Sequence, residues 1–172
     1  MKTKIQRGFT VIELMTTVAL LAVMVVLGVP AFTSSVDRNE TAANSNALLS
    51  ALKVARSEAT KRSQSVIVCA SNNQADCASN NWSDGWLVFV DDVTQNGNLD
   101  TGETIITTYE LPNGFSVARA SGGADQIAFA ATGLSNSSFA QNFTICKANT
   151  SNGRRLTVER SGLVAGADAT CP

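Results

Sequence analysis

Apolar and polar positions divide the chain into three stretches with different periods. Between Phe9 and Phe32 the only charged side chain is Glu13, and Val18 to Val29 carries no polar side chain. Such a run predicts a helix, and at about 1.5 Å rise per residue it is long enough to cross a hydrocarbon core of roughly 30 Å. Residues 33–64 stay helix-compatible but turn amphipathic. Leu48, Leu52, Ala55 and Ala59 recur at four-, three- and four-residue steps, leaving Lys53, Arg56, Glu58, Lys61 and Arg62 on the other faces. From about Ser65 short β-rich runs take over, expected at 65–70, 86–91, 104–110, 115–119, 127–130, 142–147, 154–159 and 162–165. Asn113-Gly114, Gly122-Gly123, Asn152-Gly153 and Ser161-Gly162 are turn formers at hairpin-like spacing. The expected fold class is α+β, a long N-terminal helix whose second half packs on a mainly antiparallel β-sheet head. Trp82 and Trp86, flanking Asp84-Gly85, are read as packing residues of that head.

Composition narrows the chemistry. The 172 residues suit one compact domain, and the absence of histidine excludes imidazole-dependent catalysis and histidine–metal sites. Formal charge is 13 − 14 = −1, but it is unevenly spread. Lys2, Lys4 and Arg7 open the chain without an acid, whereas residues 66–147 hold eight acids against Arg119 and Lys147. An acidic middle repels phosphate backbones, so nucleic-acid contact must be confined to a small basic patch. No nucleophile sits beside a base and no phosphate-loop spacing is present, so neither an enzyme nor a small-molecule substrate is expected. The cysteines Cys69, Cys77, Cys146 and Cys171 lack metal spacing and favour disulfides in an oxidising compartment. Three pairings are possible, and proximity prefers 69–77 with 146–171.

The N-terminal residues carry a resemblance. Arg7-Gly8-Phe9-Thr10-Val11-Ile12-Glu13-Leu14-Met15 resembles the signature of type IV prepilins and type II secretion pseudopilins. The resemblance implies that prepilin peptidase removes residues 1–8 by cutting between Gly8 and Phe9, and that the new amine of Phe9 is methylated. The charge pattern agrees, because a basic leader stays cytoplasmic while the rest of the chain passes outward. A carboxylate within an apolar helix is costly by a few kcal/mol and normally has a partner. For Glu13 the partner in a filament is the cationic N-terminus of a neighbouring subunit; the alternative is that it snorkels to the interface. Pro30, after Gly28, resembles the proline that interrupts the long pilin helix, so a kink or local melting is expected there, or the end of the membrane helix.

Leu48 to Ala59 and Gly85-Trp86-Leu87-Val88-Phe89-Val90-Asp91 are similar to segments of the GspH/FimT/FimU group. The organisation implied is a cleaved leader at 1–8, a transmembrane and assembly helix at 9–32, an amphipathic continuation at 33–64 and a β-rich globular head at 65–172. The function implied is that of a minor pilin of the type IV pilus, priming assembly in the tip complex and supporting twitching motility. A DNA-binding minor pilin for natural transformation and a type II secretion pseudopilin are the alternatives. Its partners would be other minor pilins and the major pilin, or pseudopilins, with prepilin peptidase and the inner membrane. The resemblance places it as a single-pass inner-membrane protein of a Gram-negative bacterium with a periplasmic head, then near the tip of a pilus or in a pseudopilus.

Two constellations remain. Asp92, Thr94, Asn96, Gly97, Asn98, Asp100 and Glu103 fall at positions one, three, five, six, seven, nine and twelve of a calcium loop, with strand-like flanks that equally suit a hairpin connection. Arg154, Arg155 and Arg160 form the densest basic group of the head. Relatives that bind DNA resemble this chain but carry a Gly-Arg-x-Arg element; here Gly153-Arg154-Arg155-Leu156 has leucine at the fourth place, so these arginines also read as strand-face or subunit-contact charges.

Overall fold

The computed structural model describes residues 8–119 and 125–171; the leader charges Lys2, Lys4 and Arg7 and the Gly122-Gly123 turn lie outside them, as do the side chains of Pro30 and Ala31. One helix, α1 (Val11–Arg62), is followed by β1 (Ser65–Ala70), β2 (Gly85–Asp91), β3 (Ile105–Glu110), β4 (Phe115–Arg119), β5 (Gln126–Phe129), β6 (Gln141–Lys147), β7 (Asn152–Val158) and β8 (Val164–Thr170). The chain divides into two compact units, one up to Asp37 and one from Arg38 onward.

The first unit is the apolar part of α1. Thr10 caps it: its hydroxyl accepts from the Glu13 amide at 3.3 Å and its carbonyl from the Leu14 amide at 3.1 Å. Side chains from Val11 to Val29 are all exposed, and the segment is long and apolar enough to cross a membrane. Local melting at Pro30 does not occur, since α1 is unbroken from Val11 to Arg62. Proline within a helix costs about 3 kcal/mol, which the helical bonds on either side offset.

The second unit holds the rest of α1 and two four-stranded antiparallel sheets, ordered β3-β2-β1-β5 and β4-β6-β7-β8. The stripe Leu48, Leu52, Ala55 and Ala59 is wholly buried and meets both sheets, Val66, Val68, Val88 and Val90 from one, Phe143, Ile145, Leu156 and Val158 from the other. Burying such aliphatic side chains stabilises by about 1.5–3 kcal/mol each, and the alanines let the helix backbone approach closely. On the opposite face of the first sheet, Ile67, Cys69, Leu87 and Phe89 are covered by Cys77 and Leu99. With both faces covered, β2 is buried at every position and reads as a continuous apolar run. Trp82 packs on Phe143 with centroids 4.7 Å apart, and Trp86 stacks on Tyr109 at 4.6 Å. The Tyr109 hydroxyl donates to Asn44 Oδ1 on α1 at 2.7 Å.

Three expectations need correction. Asn113-Gly114 closes no hairpin, because it carries the chain from β3 in one sheet to β4 in the other. The last strand is not 162–165 but β8, Val164–Thr170. Asn152-Gly153 is no turn; it begins β7, with Gly153 paired to Cys146 on β6 and Ala169 on β8. Glycine is required there by a disulfide. Cys69 is bonded to Cys77, and Cys146 to Cys171. A Cβ on Gly153 would lie 2.7 Å from Cys171 Sγ, 2.8 Å from the Ile145 carbonyl and 3.0 Å from Cys146 Sγ. Overpacking of this kind costs typically ~1–3 kcal/mol, so Gly153→Ala should lower the urea midpoint with both disulfides intact. An unchanged midpoint would contradict this packing.

Candidate functional site

At the start of the first unit Gly8 and Phe9 are exposed and lie outside the helix, next to the Thr10 cap. Glu13 follows on the first helical turn, also exposed, with apolar neighbours on both sides in sequence. The helix dipole favours an acid at this end, so the fold places the one charge of the stretch where a helix tolerates it best.

In the second unit the basic trio is separated. Alternation along β7 puts Arg154 on the side of Leu156 and Val158, which face α1, and Arg155 on the other side with Thr157. Arg160 lies exposed in the turn before β8. Arg154 lines a cavity with Arg38 and Asn39 of α1, Asn152 of β7 and Asp168 of β8. The trio therefore makes no single phosphate-tracking face.

The connection between β2 and β3 is stapled by its own polar groups. Asp100 Oδ2 accepts from the Thr94 hydroxyl and, at 3.1 Å, from the Asn96 amide; Asn96 Oδ1 accepts from the Asn98 N–H at 2.7 Å. Glu103 accepts from the Val93 amide at 3.3 Å and the Asp100 amide at 2.9 Å. Asp92 is exposed, while its neighbour Asp91 is buried and accepts from the Gly97 amide at 3.1 Å. Among the described residues, no three acidic, histidine or cysteine side chains come together to hold a metal ion. In this structure the side-chain oxygens of Asn96, Asp100 and Glu103 accept from amides and a hydroxyl of the loop itself.

The GspH family, described as type II transport protein GspH, matches residues 44–162, which covers the stripe of α1 and the strands as far as the turn after β7. The chain belongs to the GspH family. A prokaryotic N-terminal methylation motif matches residues 3–29, the segment containing Gly8, Phe9 and Glu13. Among solved structures the GspH-family fold recurs in the type IV minor pilin FimU of Pseudomonas aeruginosa PAO1, at 20% identity over 75% of this chain and 89% of that one, TM-score 0.57. It recurs in the minor pseudopilin EpsH of the Vibrio cholerae type 2 secretion system, at 14% identity over 74% and 96%, TM-score 0.56. No curated protein matches the chain in sequence.

Two roles in this GspH-family chain, those of Thr10 and Arg56, do not show in the sequence reading. Thr10 and Glu13 stand at the spacing of a capping box, a signal the membrane pattern overshadowed. Arg56 reads as a solvated helix charge, yet its Nε donates to the Gly133 carbonyl at 3.1 Å and its Nη2 to the Ser161 carbonyl at 3.2 Å. No local sequence signal marks it, because its acceptors lie 77 and 105 residues away.

Burial pushes the Asp91 carboxyl above its ordinary range, the Gly97 amide opposing and Glu103 and Asp100 reinforcing. A raised folded-state value means that the folded chain holds its proton longer than the unfolded one, so this group lowers stability as pH rises through that window. Asp91→Asn should therefore be more stable than the parent at neutral pH, with the gap closing below about pH 3.9, where an unperturbed aspartate is protonated. Urea titrations at the two pH values check it; a gap that widens in acid would overturn the assignment.

Proposed function

We propose that this GspH-family chain is a minor pilin that is cleaved between Gly8 and Phe9, methylated at Phe9, and built into a type IV pilus as part of an assembly-priming tip complex. The observation that carries this reading is the arrangement at the start of α1: a capped helix end where Glu13, the one charge between Phe9 and Phe32, follows an exposed cleavage position and precedes an exposed apolar run. In the bilayer the apolar side chains anchor the chain and the basic leader keeps its end cytoplasmic. In the filament the same side chains pack on neighbouring helices, and Glu13 pairs with the amine of Phe9 on another subunit, which sets the register. The head presents contacts to the other minor pilins, and twitching motility depends on the fibre so primed.

A type II secretion pseudopilin is the second reading, favoured by the description of the matching family. Deleting the gene separates the two: loss of surface pili with normal secretion supports the first, and the reverse supports the second. DNA uptake is less favoured, because β7 turns Arg154 and Arg155 to opposite sides.

Glu13→Ala should be inserted and cleaved normally but incorporated about tenfold less into filaments, the factor expected from losing an interaction of ~1.4 kcal/mol. Normal incorporation would remove the pairing role. A bulky residue at Gly8 should leave the leader attached, adding the mass of residues 1–8 to the envelope-associated protein. A mature mass in that variant would contradict the cleavage position.

A further inference from the structure

We propose that the cavity between the head portion of α1 and strands β7 and β8 binds a phosphodiester, and that its occupant is the headgroup of an anionic phospholipid. The cavity has a volume of about 410 Å3, room for a headgroup, and is lined by Arg38, Asn39, Asn152, Arg154 and Asp168.

Arg154 supplies the first argument. Its Nε is buried and has no hydrogen-bond partner among the described residues, Asp168, directly across on β8, included. A guanidinium donor withdrawn from water is unfavourable until an acceptor meets it, and the donor fork of arginine matches the oxygens of a phosphate. Charge supplies the second argument. Two guanidiniums against one carboxylate leave the lining with one net positive charge, which balances a singly charged phosphodiester better than a dianionic free phosphate. The amides of Asn39 and Asn152 add neutral donors.

The source follows from sequence position. Arg38 comes six residues after Phe32, where the apolar stretch ends, and long basic side chains beside such stretches reach the headgroup layer. Duplex DNA, the other common phosphodiester, wants several cations along one face, whereas Arg155 lies opposite Arg154. The inference rests on the membrane-inserted stage of the reading above.

The test uses the full chain in maltoside micelles at fixed ionic strength. Dihexanoyl phosphatidylglycerol, inorganic phosphate and a short DNA duplex are titrated separately and followed by calorimetry. Saturable one-to-one binding of the lipid, weaker binding of phosphate, and a loss of about tenfold or more in Arg154→Gln with Arg155→Gln unchanged would support the site. Arg38→Gln, at an exposed position, carries the same expectation should Arg154→Gln fail to fold. Absence of saturable lipid binding, equal losses in Arg155→Gln, or preference for the duplex at the Arg154 side would each overturn the proposal. Filament incorporation is scored separately: normal incorporation of a variant that has lost lipid binding leaves the pilin reading standing, and absence of the parent chain from filaments with normal lipid binding strikes that reading alone.

Discussion

A single helical stripe has to cover two sheets at once, and the rest of the head is arranged around that demand. Leu48 and Leu52 supply bulk, while Ala55 and Ala59 let the helix settle where both sheets reach it. The seam between the sheets is closed by backbone. Gly162, in the left-handed region at φ +75°, lies so near Gly133 that a Cβ would stand 1.9 Å from its carbonyl oxygen. Arg56, next to Ala55 on α1, donates to both turns, and the Ser135 amide donates to the Arg160 carbonyl at 3.1 Å. Helix, β5–β6 connection and β7–β8 turn are thus held at one junction by groups that have no slack.

Much of this was readable in the chain, wherever burial imposed a period. The stripe from Leu48 to Ala59 was legible because one narrow face is buried, and β1, β2 and β6 because branched and aromatic residues run together. Strand β8 was not, since Ala165, Gly166, Ala167 and Ala169 carry neither bulk nor alternation and its pairing to β7 decides its conformation. Gly153 misled for a related reason: beside asparagine it signals a turn, and only the Cys146–Cys171 bond, distant in sequence, explains it. In the oxygen-rich loop after Asp91, amide donors a few residues away meet the Glu103 carboxylate, a local bonding that spacing alone does not reveal.

The charged groups show a division of labour. In the head several acids are engaged within the unit: Glu58 with Lys61 and Arg62 one turn on, Glu40 of α1 with Lys147 of β6 at 2.5 Å, Glu103 with amides of its own loop. Surface pairs of this sort contribute little each, so they orient more than they stabilise. The first unit has the reverse character, a long apolar surface exposed along its length and one acid at its start. A minor pilin or pseudopilin of the GspH family needs that contrast. The head must be complete by itself, whereas the stalk must stay incomplete until lipid or other subunits cover it.

The bond from Cys146 to Cys171 closes across β7, from β6 to the residue just beyond β8. In a fibre under tension, an edge hairpin would ordinarily unzip one hydrogen-bonded pair after another from its free end. Here that end is riveted to an inner strand, so β8 cannot peel away from it while the disulfide holds.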